Sequence, residues 1–325
     1  MNDKIVINSE VLSQLYLPQK LLHREKEYSL LLNNLANHIN TFIIGKCGSG
    51  KTTLLRKALA DFNSSRQGQA RYIDCSVFQT TYSILKEIIP KSEFVLYRSN
   101  YELTKELLKQ TREAKFTVGL DSFENLQKKE LIAKFMSLGL NVILVSEDED
   151  SFFALSENVR SNIPSTIKFV EYASEHTFDI LKDRMEKALV KWGCSEALVK
   201  KIAERVKGNI ALGINTLKVA AFNAENAKKR AIEEGDVPEI DLDCPEELSK
   251  DEKILLKVLQ QWKTLPSSRL YTFYRENVKN PKGDRAFRNY MQSLCSKNLV
   301  KALGEKRGRF YEIVESGQSD SGLSG

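Results

Sequence analysis

Short apolar runs alternate with amphipathic stretches through the first half of the chain. An apolar run at residues 41–44 and a buried run at residues 115–124 predict strands, and residues 70–75 and 140–148 have the composition of two more. Apolar positions at helical spacing predict helices at residues 26–38, 53–62, 80–89 and 100–114. Strands that alternate with helices are typical of an α/β fold with a parallel sheet. We assign residues 1–171 to this domain.

The apolar pattern becomes helical from Tyr172 onward. It predicts three successive helices, at residues 174–192, 195–207 and 209–229. Helices of this length with one apolar face suit a small helical lid, which we place over residues 172–244. An acidic stretch that contains Pro245 then predicts a linker.

The C-terminal part of the chain carries a third pattern. Amphipathic helices are predicted at residues 252–261, 267–279 and 284–299, followed by a β-hairpin within residues 300–314. This order of elements predicts a winged-helix domain at residues 245–314. The polar, low-complexity residues 315–325 predict a disordered tail.

A phosphate-binding motif lies between the first predicted strand and its helix. Residues 45–52 read G-K-C-G-S-G-K-T, and glycines at this spacing let backbone N–H groups turn around phosphate oxygens. Lys51 would reach the β- and γ-phosphates, and Thr52 would hold Mg²⁺ through its hydroxyl. The alternative is a glycine-rich turn without a ligand, which the complete motif disfavours. The candidate nucleotide ligands are Gly45, Lys46, Cys47, Gly48, Ser49, Gly50, Lys51, Thr52 and Thr53.

A carboxylate ends the predicted strand at residues 115–124. Asp121 stands where a P-loop ATPase needs an acidic side chain, because the carboxyl end of this strand lies beside the phosphate loop and can hold Mg²⁺ through the metal's water shell. Thr52 and Asp121 are therefore the candidate metal ligands. Glu124, three residues further on, is a second candidate carboxylate.

Length and composition limit the classes of protein. The chain has 325 residues and 42% hydrophobic content, enough for two or three domains with cores of their own. It contains no apolar run of membrane-spanning length and no signal-peptide pattern, so we expect a cytoplasmic, nucleoid-associated protein with no membrane partner. Its five cysteines include no C-x-x-C pair, which argues against a zinc site or a disulfide framework.

The positive charge is concentrated in the predicted winged helix. Residues 263–311 hold twelve basic and three acidic side chains, whereas residues 1–262 are balanced. Such an excess predicts a polyanionic partner, and duplex DNA fits a winged helix. The candidate DNA-binding residues are Arg285, Arg288 and Asn289 on the third helix and Lys306, Arg307 and Arg309 at the hairpin tip. The alternative is a winged helix that docks proteins and carries a solvated charged face.

The segment before the phosphate loop has a motif of its own. It reads Y-x-P followed by L-x-H-R-E and contains Tyr16, Pro18, His23, Arg24 and Glu25. Together with the phosphate loop and the C-terminal domain, this opening resembles the archaeal origin-recognition initiators, the ORC/CDC type of AAA+ ATPase. The resemblance implies ATP or ADP with Mg²⁺ as cofactors, Tyr16, Pro18, His23 and Arg24 along the adenine, and duplex DNA, a replicative helicase or initiator paralogs as partners. The alternative for His23 is a capping or packing role.

Three positions depart from the family's catalytic pattern. Ser122 replaces the glutamate that orients the attacking water, Glu147 replaces the sensor asparagine, and Ala211 replaces the lid arginine. Loss of a positioned base costs about 10² to 10⁴ in rate, so we expect nucleotide binding with slow or lost hydrolysis unless Glu124 takes over. Arg160 matches the family's arginine finger, with an ordinary surface arginine as the alternative.

The sequence predicts an ATP- or ADP-binding, duplex-DNA-binding protein of the replication-initiator type. Two other functions use the same parts: a nucleotide-regulated transcription factor, and a signalling ATPase whose winged helix binds proteins. An active ATPase motor is disfavoured by Ser122, Glu147 and Ala211.

Overall fold

The computed structural model describes residues 4–65, 69–89, 99–113, 115–240, 248–278, 281–296, 299–304 and 309–314. These residues form two compact units, Met1–Ile240 and Asp241–Gly325. Most of the predicted linker, the predicted tail and the candidate residues Lys306 and Arg307 lie outside the described residues. Among the described helices, none is long and apolar enough to cross a membrane.

The first unit is built on a five-stranded parallel sheet. Its strands are β1 (Thr41–Gly45), β2 (Gln69–Asp74), β3 (Phe116–Asp121), β4 (Asn141–Ser146) and β5 (Ser165–Phe169), in the spatial order β2-β3-β4-β1-β5. Four of these strands coincide with the predicted strands. The edge strand β5 was not predicted, because its five residues hold only two apolar side chains, Ile167 and Phe169.

Helices cover both faces of this sheet. They are α1 (Glu25–Ala36), α2 (Lys51–Ser64), α3 (Thr81–Ile88), α4 (Asn100–Glu113), α5 (Glu130–Ser137), α6 (Asp150–Phe153) and α7 (Glu157–Ser161). Side chains alternate between the two faces, as expected for a strand. Phe42 and Ile44 lie in the core formed with α3, α4 and α5, whereas Ile43 packs with Leu54 and Leu59 of α2.

The lid follows the sheet and completes the first unit. It consists of α8 (Ser174–Ala188), α9 (Glu196–Arg205) and α10 (Ile210–Asn226). The N-terminal residues also belong to the lid core: Ile5, Val11 and Leu12 are buried among its helices, and Val6 forms a β-bridge with Leu189. No local pattern predicts this contact, because Val6 and Leu189 are more than 180 residues apart in the chain.

The second unit is a winged helix, as predicted. It contains α11 (Lys250–Trp262), α12 (Ser267–Asn277) and α13 (Asp284–Ser296), and the antiparallel strands β6 (Thr264–Pro266), β7 (Val300–Leu303) and β8 (Phe310–Ile313) in the order β6-β8-β7. Its core is formed mainly by buried aliphatic and aromatic side chains, among them Leu255, Leu259, Leu270, Tyr274, Phe287 and Met291. The three-residue strand β6 was not predicted.

Candidate nucleotide site and nucleic-acid surface

The phosphate loop connects the end of β1 to the start of α2. Gly48 and Gly50 adopt left-handed backbone conformations, with φ of +72° and +95°, which glycine tolerates best. A Cβ on Gly45 would lie 2.5 Å from Phe169 Cβ, so the loop closely approaches the adjoining strand β5. Ser49 Oγ is buried within the loop and has no hydrogen-bond partner among the described residues. A phosphate oxygen at the loop would supply the acceptor that this hydroxyl lacks.

Lys51 begins α2 and is directed back over the loop. Its side chain is 7% exposed, and its Nζ donates to the carbonyl oxygen of Lys46 at 2.8 Å. Glu147 Oε1 lies 3.9 Å from the same Nζ. The ammonium group therefore lies between the loop backbone and the end of β4, where phosphate oxygens would compete for it.

Thr52, in the first turn of α2, meets Asp121 at the carboxyl end of β3. Thr52 Oγ1 donates to Asp121 Oδ2 at 2.7 Å, and the Tyr72 hydroxyl donates to the same oxygen at 3.0 Å. Burial raises the pKa of Asp121, an effect that the hydrogen bonds from Thr52 and Tyr72 and the charge of Lys51 oppose. Hydroxyl and carboxylate oxygens are the ligands that Mg²⁺ prefers, so the residues present fit the metal.

Tyr72 was missed in the sequence analysis. It lies on β2, which is adjacent to β3 in the sheet, and Asp74 at the end of β2 is in register with Asp121. No local motif marks this tyrosine. The signal that could have found it is the pairing of the two strands, because residues near the carboxyl ends of neighbouring parallel strands lie close together.

Ser122 and Glu124 follow β3. Ser122 adopts a left-handed conformation with φ of +53°, which is strained for a non-glycine residue. The carboxyl group of Glu124 reaches Ser146 at the end of β4, and its Oε2 is buried with no partner among the described residues. Burial raises the pKa of Glu124, and the charges of Asp148 and Glu147 add to that increase. This carboxyl group therefore binds protons more tightly than an exposed one.

Arg24 lies against the phosphate loop, and its guanidinium contacts both backbone carbonyl oxygens and aromatic rings. Its guanidinium donates to the carbonyl oxygens of Ser49, at 3.3 Å, and Val170. It also lies 4.0 Å from the ring centroid of Tyr172 and 4.7 Å from that of Phe169. Because Arg24 is only 7% exposed, these contacts make it a support for the loop.

His23 and Tyr16 join the opening segment to the lid. The imidazole of His23 stacks on His176 with 4.0 Å between ring centroids, and its Nε2 lies 2.9 Å from Asp179 Oδ2. The buried guanidinium of Arg184 lies over the ring of Tyr16, 4.3 Å from the centroid of that ring. The packing role considered for His23 thus has a defined geometry, and Pro18 in the same segment is buried.

A cavity of about 270 Å³ lies between residues 12–15 and α10, where Asn215 and Lys218 line it. The N-terminal wall of this cavity is tied to α2 by Arg56, which donates to the carbonyl oxygen of Leu15 at 3.2 Å. The cavity therefore adjoins the segment that the family resemblance assigns to the adenine.

The lid contacts the phosphate loop through the start of α10. The backbone N–H of Ile210 donates to the carbonyl oxygen of Gly48 at 3.1 Å. Asn209 caps α10 by accepting from the N–H of Leu212 at 3.0 Å. Ala211 lies in the first turn of this helix. The position that corresponds to the family's lid arginine therefore carries no charge.

Arg160 lies on the short helix α7. Its guanidinium donates to the carbonyl oxygen of Phe153 at 3.4 Å, which is a long hydrogen bond. None of its hydrogen bonds within the described residues reaches the phosphate loop.

The candidate DNA-contacting residues in the winged helix share one face of α13. Arg285, Arg288 and Asn289 are exposed, and Arg288 pairs with Asp284 on the same helix at 2.6 Å. Arg309 is also exposed, and its carbonyl oxygen accepts from the N–H of Ser267, which ties the end of the hairpin to α12. The described DNA-contacting candidates of the winged helix thus present three cationic side chains and one amide to solvent.

The fold and the site together define a structural class. A parallel sheet in this strand order, a phosphate loop whose threonine meets a buried aspartate, a three-helix lid and a winged helix are the parts of an AAA+ fold with a C-terminal winged helix. No family model matches the chain.

Individual proteins do resemble it over nearly its whole length. The ORC1-type DNA replication protein 9 of Halobacterium salinarum is 22% identical over 338 residues, which cover 96% of this chain and 95% of that protein. The structure of Aeropyrum pernix ORC1 in complex with DNA has a TM-score of 0.71 at 19% identity and covers 95% of this chain and 93% of its own. The ADP form of Aeropyrum pernix ORC2 has a TM-score of 0.64 at 21% identity, with 95% and 94% covered. These comparisons confirm the resemblance to the archaeal ORC/CDC-type initiators that the opening motif and the phosphate loop indicate.

Proposed function

We propose that this chain is a replication initiator of the origin-recognition type that binds ATP or ADP with Mg²⁺ and binds duplex DNA. The observation that carries the nucleotide part is the hydrogen bond from Thr52 to Asp121 beside a phosphate loop with Lys51 directed back over it. Similarity to ORC1-type DNA replication proteins over nearly the whole chain supports the initiator role. The neighbours solved in a DNA complex and in the ADP form support both kinds of ligand.

In this proposal each site residue has a separate task. Backbone N–H groups of residues 45–52 and the ammonium of Lys51 bind the phosphates, while Thr52 holds the metal directly and Asp121 holds it through water. Bound Mg²⁺ neutralises phosphate charge. Arg24 maintains the shape of the loop through the carbonyl oxygens of Ser49 and Val170. The cavity between residues 12–15 and α10 is the candidate place for the nucleoside.

Hydrolysis is proposed to be slow. Ser122 offers no carboxylate to orient water, Ala211 no cation, and Glu147 replaces the neutral amide of the family pattern. Glu124 is the candidate residual base, although its carboxyl group is engaged with Ser146. We expect a steady-state turnover below about 1 per second, at the low end of the usual enzyme range. A faster purified protein would contradict this part of the proposal.

DNA binding is assigned to the winged helix, with help from the first unit. Arg285, Arg288 and Asn289 are exposed on one face of α13, where phosphate contacts would supply affinity and base contacts specificity. The hairpin tip, with Lys306, Arg307 and Arg309, would contact phosphates or the minor groove. The nucleotide would set the angle between the sheet domain and the lid. A cytoplasmic, nucleoid-associated location and a replicative helicase or initiator paralogs as further partners belong to the same proposal.

The first experiment is a genomic retention assay. The purified full chain is incubated with ATP, Mg²⁺ and fragmented genomic duplex at about 150 mM salt, and the retained DNA is sequenced. We expect enrichment at one or a few loci with origin-like repeats. Enrichment at many promoters would favour a transcription regulator instead, and retention of nothing would favour a protein-docking winged helix.

Two variants make this assay specific. Arg285→Ala combined with Arg288→Ala and Asn289→Ala tests whether retention depends on the exposed face of α13. Lys51→Ala tests whether it depends on the nucleotide. If both variants retain the same loci as the parent chain, neither assignment holds.

A further inference from the structure

Glu147 lies at the edge of the sheet where the phosphates would bind. It directly follows β4, whose last residue Ser146 pairs in register with Ile44 of β1. Since Ile44 precedes Gly45, the backbone of Glu147 emerges beside the first residue of the phosphate loop. Carboxyl ends of parallel strands form the ligand-binding edge of such sheets, so this position faces the candidate nucleotide site.

The side chain of Glu147 is directed toward Lys51. Its Oε1 lies 3.9 Å from Lys51 Nζ, within ion-pair distance. The Lys51 side chain is 7% exposed, whereas that of Glu147 is 49% exposed. The carboxylate therefore approaches the lysine from the open side of the loop, the side from which a ligand must enter.

Other carboxylates share this edge. Asp121 is buried and faces Thr52 and Lys51, and Glu124 lies near Glu147 and Asp148. In a P-loop site the lysine bridges the β- and γ-phosphates. A carboxylate beside this ammonium competes with phosphate for the cation, and it would also repel an added phosphate, because nearby like charges repel each other strongly in a partly buried site.

We propose that Glu147 makes this site select nucleoside diphosphates over triphosphates by opposing the γ-phosphate. The inference rests on the proposed nucleotide-binding function. A diphosphate leaves the pair between Lys51 and Glu147 in place, because its terminal phosphate is the one nearer the loop. A triphosphate adds negative charge at the end of the loop that Glu147 adjoins. A glutamine at this position keeps the size of the side chain, an asparagine shortens it by one methylene, and both remove the negative charge.

The test measures binding, with no need for turnover. Dissociation constants of the full chain for ADP and for a non-hydrolysable ATP analogue are determined by titration calorimetry in Mg²⁺. We expect the parent chain to prefer ADP by about tenfold or more, which corresponds to roughly 1.4 kcal/mol or more. Glu147→Gln and Glu147→Asn are expected to reduce that preference at least fivefold, mainly by tightening the binding of the analogue.

Glu149→Gln is the matched control. Glu149 lies two residues further along the same loop and pairs with Lys168 at 2.8 Å, away from Lys51. Its replacement removes one negative charge without changing the neighbour of Lys51, so the preference for ADP should stay as in the parent chain. An equal effect of the Glu147 and Glu149 variants would show a general charge effect and overturn the inference.

The remaining outcomes distinguish a failure of the role of Glu147 from a failure of the proposed nucleotide binding. If the parent chain binds the analogue as tightly as ADP, and Lys51→Ala abolishes both, nucleotide binding stands and only the role of Glu147 falls. If Glu147→Gln weakens both ligands equally while its thermal unfolding is unchanged, Glu147 does not discriminate and the inference also falls. If the folded parent chain binds neither ligand, the proposed function and the inference fall together.

Discussion

Ile210 and Gly48 are joined by a backbone hydrogen bond of 3.1 Å that connects the start of the lid helix α10 to the phosphate loop. Asn209, which caps α10, fills the space beside the same glycine. The lid and the phosphate loop are thus linked through main-chain atoms. A change in loop conformation would be transmitted to the lid through a rigid cap, without a charged side chain.

The first prediction concerns Gly48→Ala. An ideal Cβ on Gly48 would lie 1.9 Å from Asn209 Oδ1 and 3.1 Å from Asn209 Cα, and the residue has φ of +72°. Rotation of the Asn209 side chain would relieve only the first contact, so α10 must move away. We expect a loss of about 2 to 4 kcal/mol in the free energy of unfolding, from backbone strain and overpacking together, measured by denaturant titration.

Gly139→Ala is the control for that experiment. Gly139 has a similar φ of +81°, but a Cβ there meets nothing within 4 Å. Its replacement should cost only the strain of the left-handed backbone, about 1 to 2 kcal/mol. Equal losses for the two variants would mean that the contact between Gly48 and Asn209 contributes nothing to stability.

The second prediction concerns Arg24→Met. This change removes the donors for the carbonyl oxygens of Ser49 and Val170 and leaves them buried. Unsatisfied buried polar groups cost about 1 to 3 kcal/mol each, so we expect a loss of several degrees in the melting temperature and weaker ADP binding. Arg24→Lys should recover only part of the melting temperature and part of the ADP affinity, since an ammonium cannot replace the stacked guanidinium.

Arg56→Met is the matched comparison for Arg24. Arg56 makes one hydrogen bond of 3.2 Å to Leu15 and lies on the side of α2, 5.8 Å from the ring centroid of Tyr72. Its loss should lower the melting temperature much less. If the two variants lower the melting temperature equally, the contacts of Arg24 with the phosphate loop are not what stabilises this unit.

How much of this could be predicted from the sequence depends on the range of the contacts. The phosphate loop and Asp121 are local motifs, and strands β1, β3 and β4 are buried along almost their whole length because both of their faces are covered. Strand β5 lies at the edge of the sheet, and its five residues contain only two apolar side chains, which is too short a signal to mark a strand. The contacts of Tyr72, Arg24 and the N-terminal residues join distant segments, and no spacing rule in the chain encodes them.

The third prediction concerns pH and Asp121. Burial raises the pKa of Asp121 in the folded chain above its unfolded value. Between the two values the folded chain keeps a proton that the unfolded chain has lost, so this group makes stability fall as pH rises through that window. Above the folded-state pKa the full penalty is present, whereas below about pH 3.9 both states are protonated and it vanishes.

Asp121→Asn removes that penalty. We expect the variant to melt at a higher temperature than the parent chain at pH 7, with a difference that shrinks toward pH 4. We also expect Mg²⁺ to increase the affinity of the variant for ADP less than it increases that of the parent chain. Calorimetric scans at both pH values, with and without the metal, test this. A variant that is less stable at pH 7 would show that the hydrogen bonds from Thr52 and Tyr72 outweigh the cost of burying the charge.

The last prediction concerns the exposed face of α13. Positions 285, 288 and 289 lie within one helical turn and share a face, and the pair between Arg288 and Asp284 is exposed, so replacing Arg288 should cost little stability. If Arg285 and Arg288 contact phosphates, each contributes about 0.9 to the slope of log K against log salt. Arg285→Ala with Arg288→Ala should therefore weaken duplex binding and lower the slope by about 1 to 2.

Lys253→Ala with Lys257→Ala provides the comparison for that experiment. Both lysines are exposed on α11, and their replacement removes the same charge from a different helix. Fluorescence titrations of labelled duplex at several salt concentrations should show a smaller change in slope for this pair. Equal changes for the two pairs would mean that the charge of the domain as a whole attracts DNA, and the assignment of α13 as the reading helix would then be wrong.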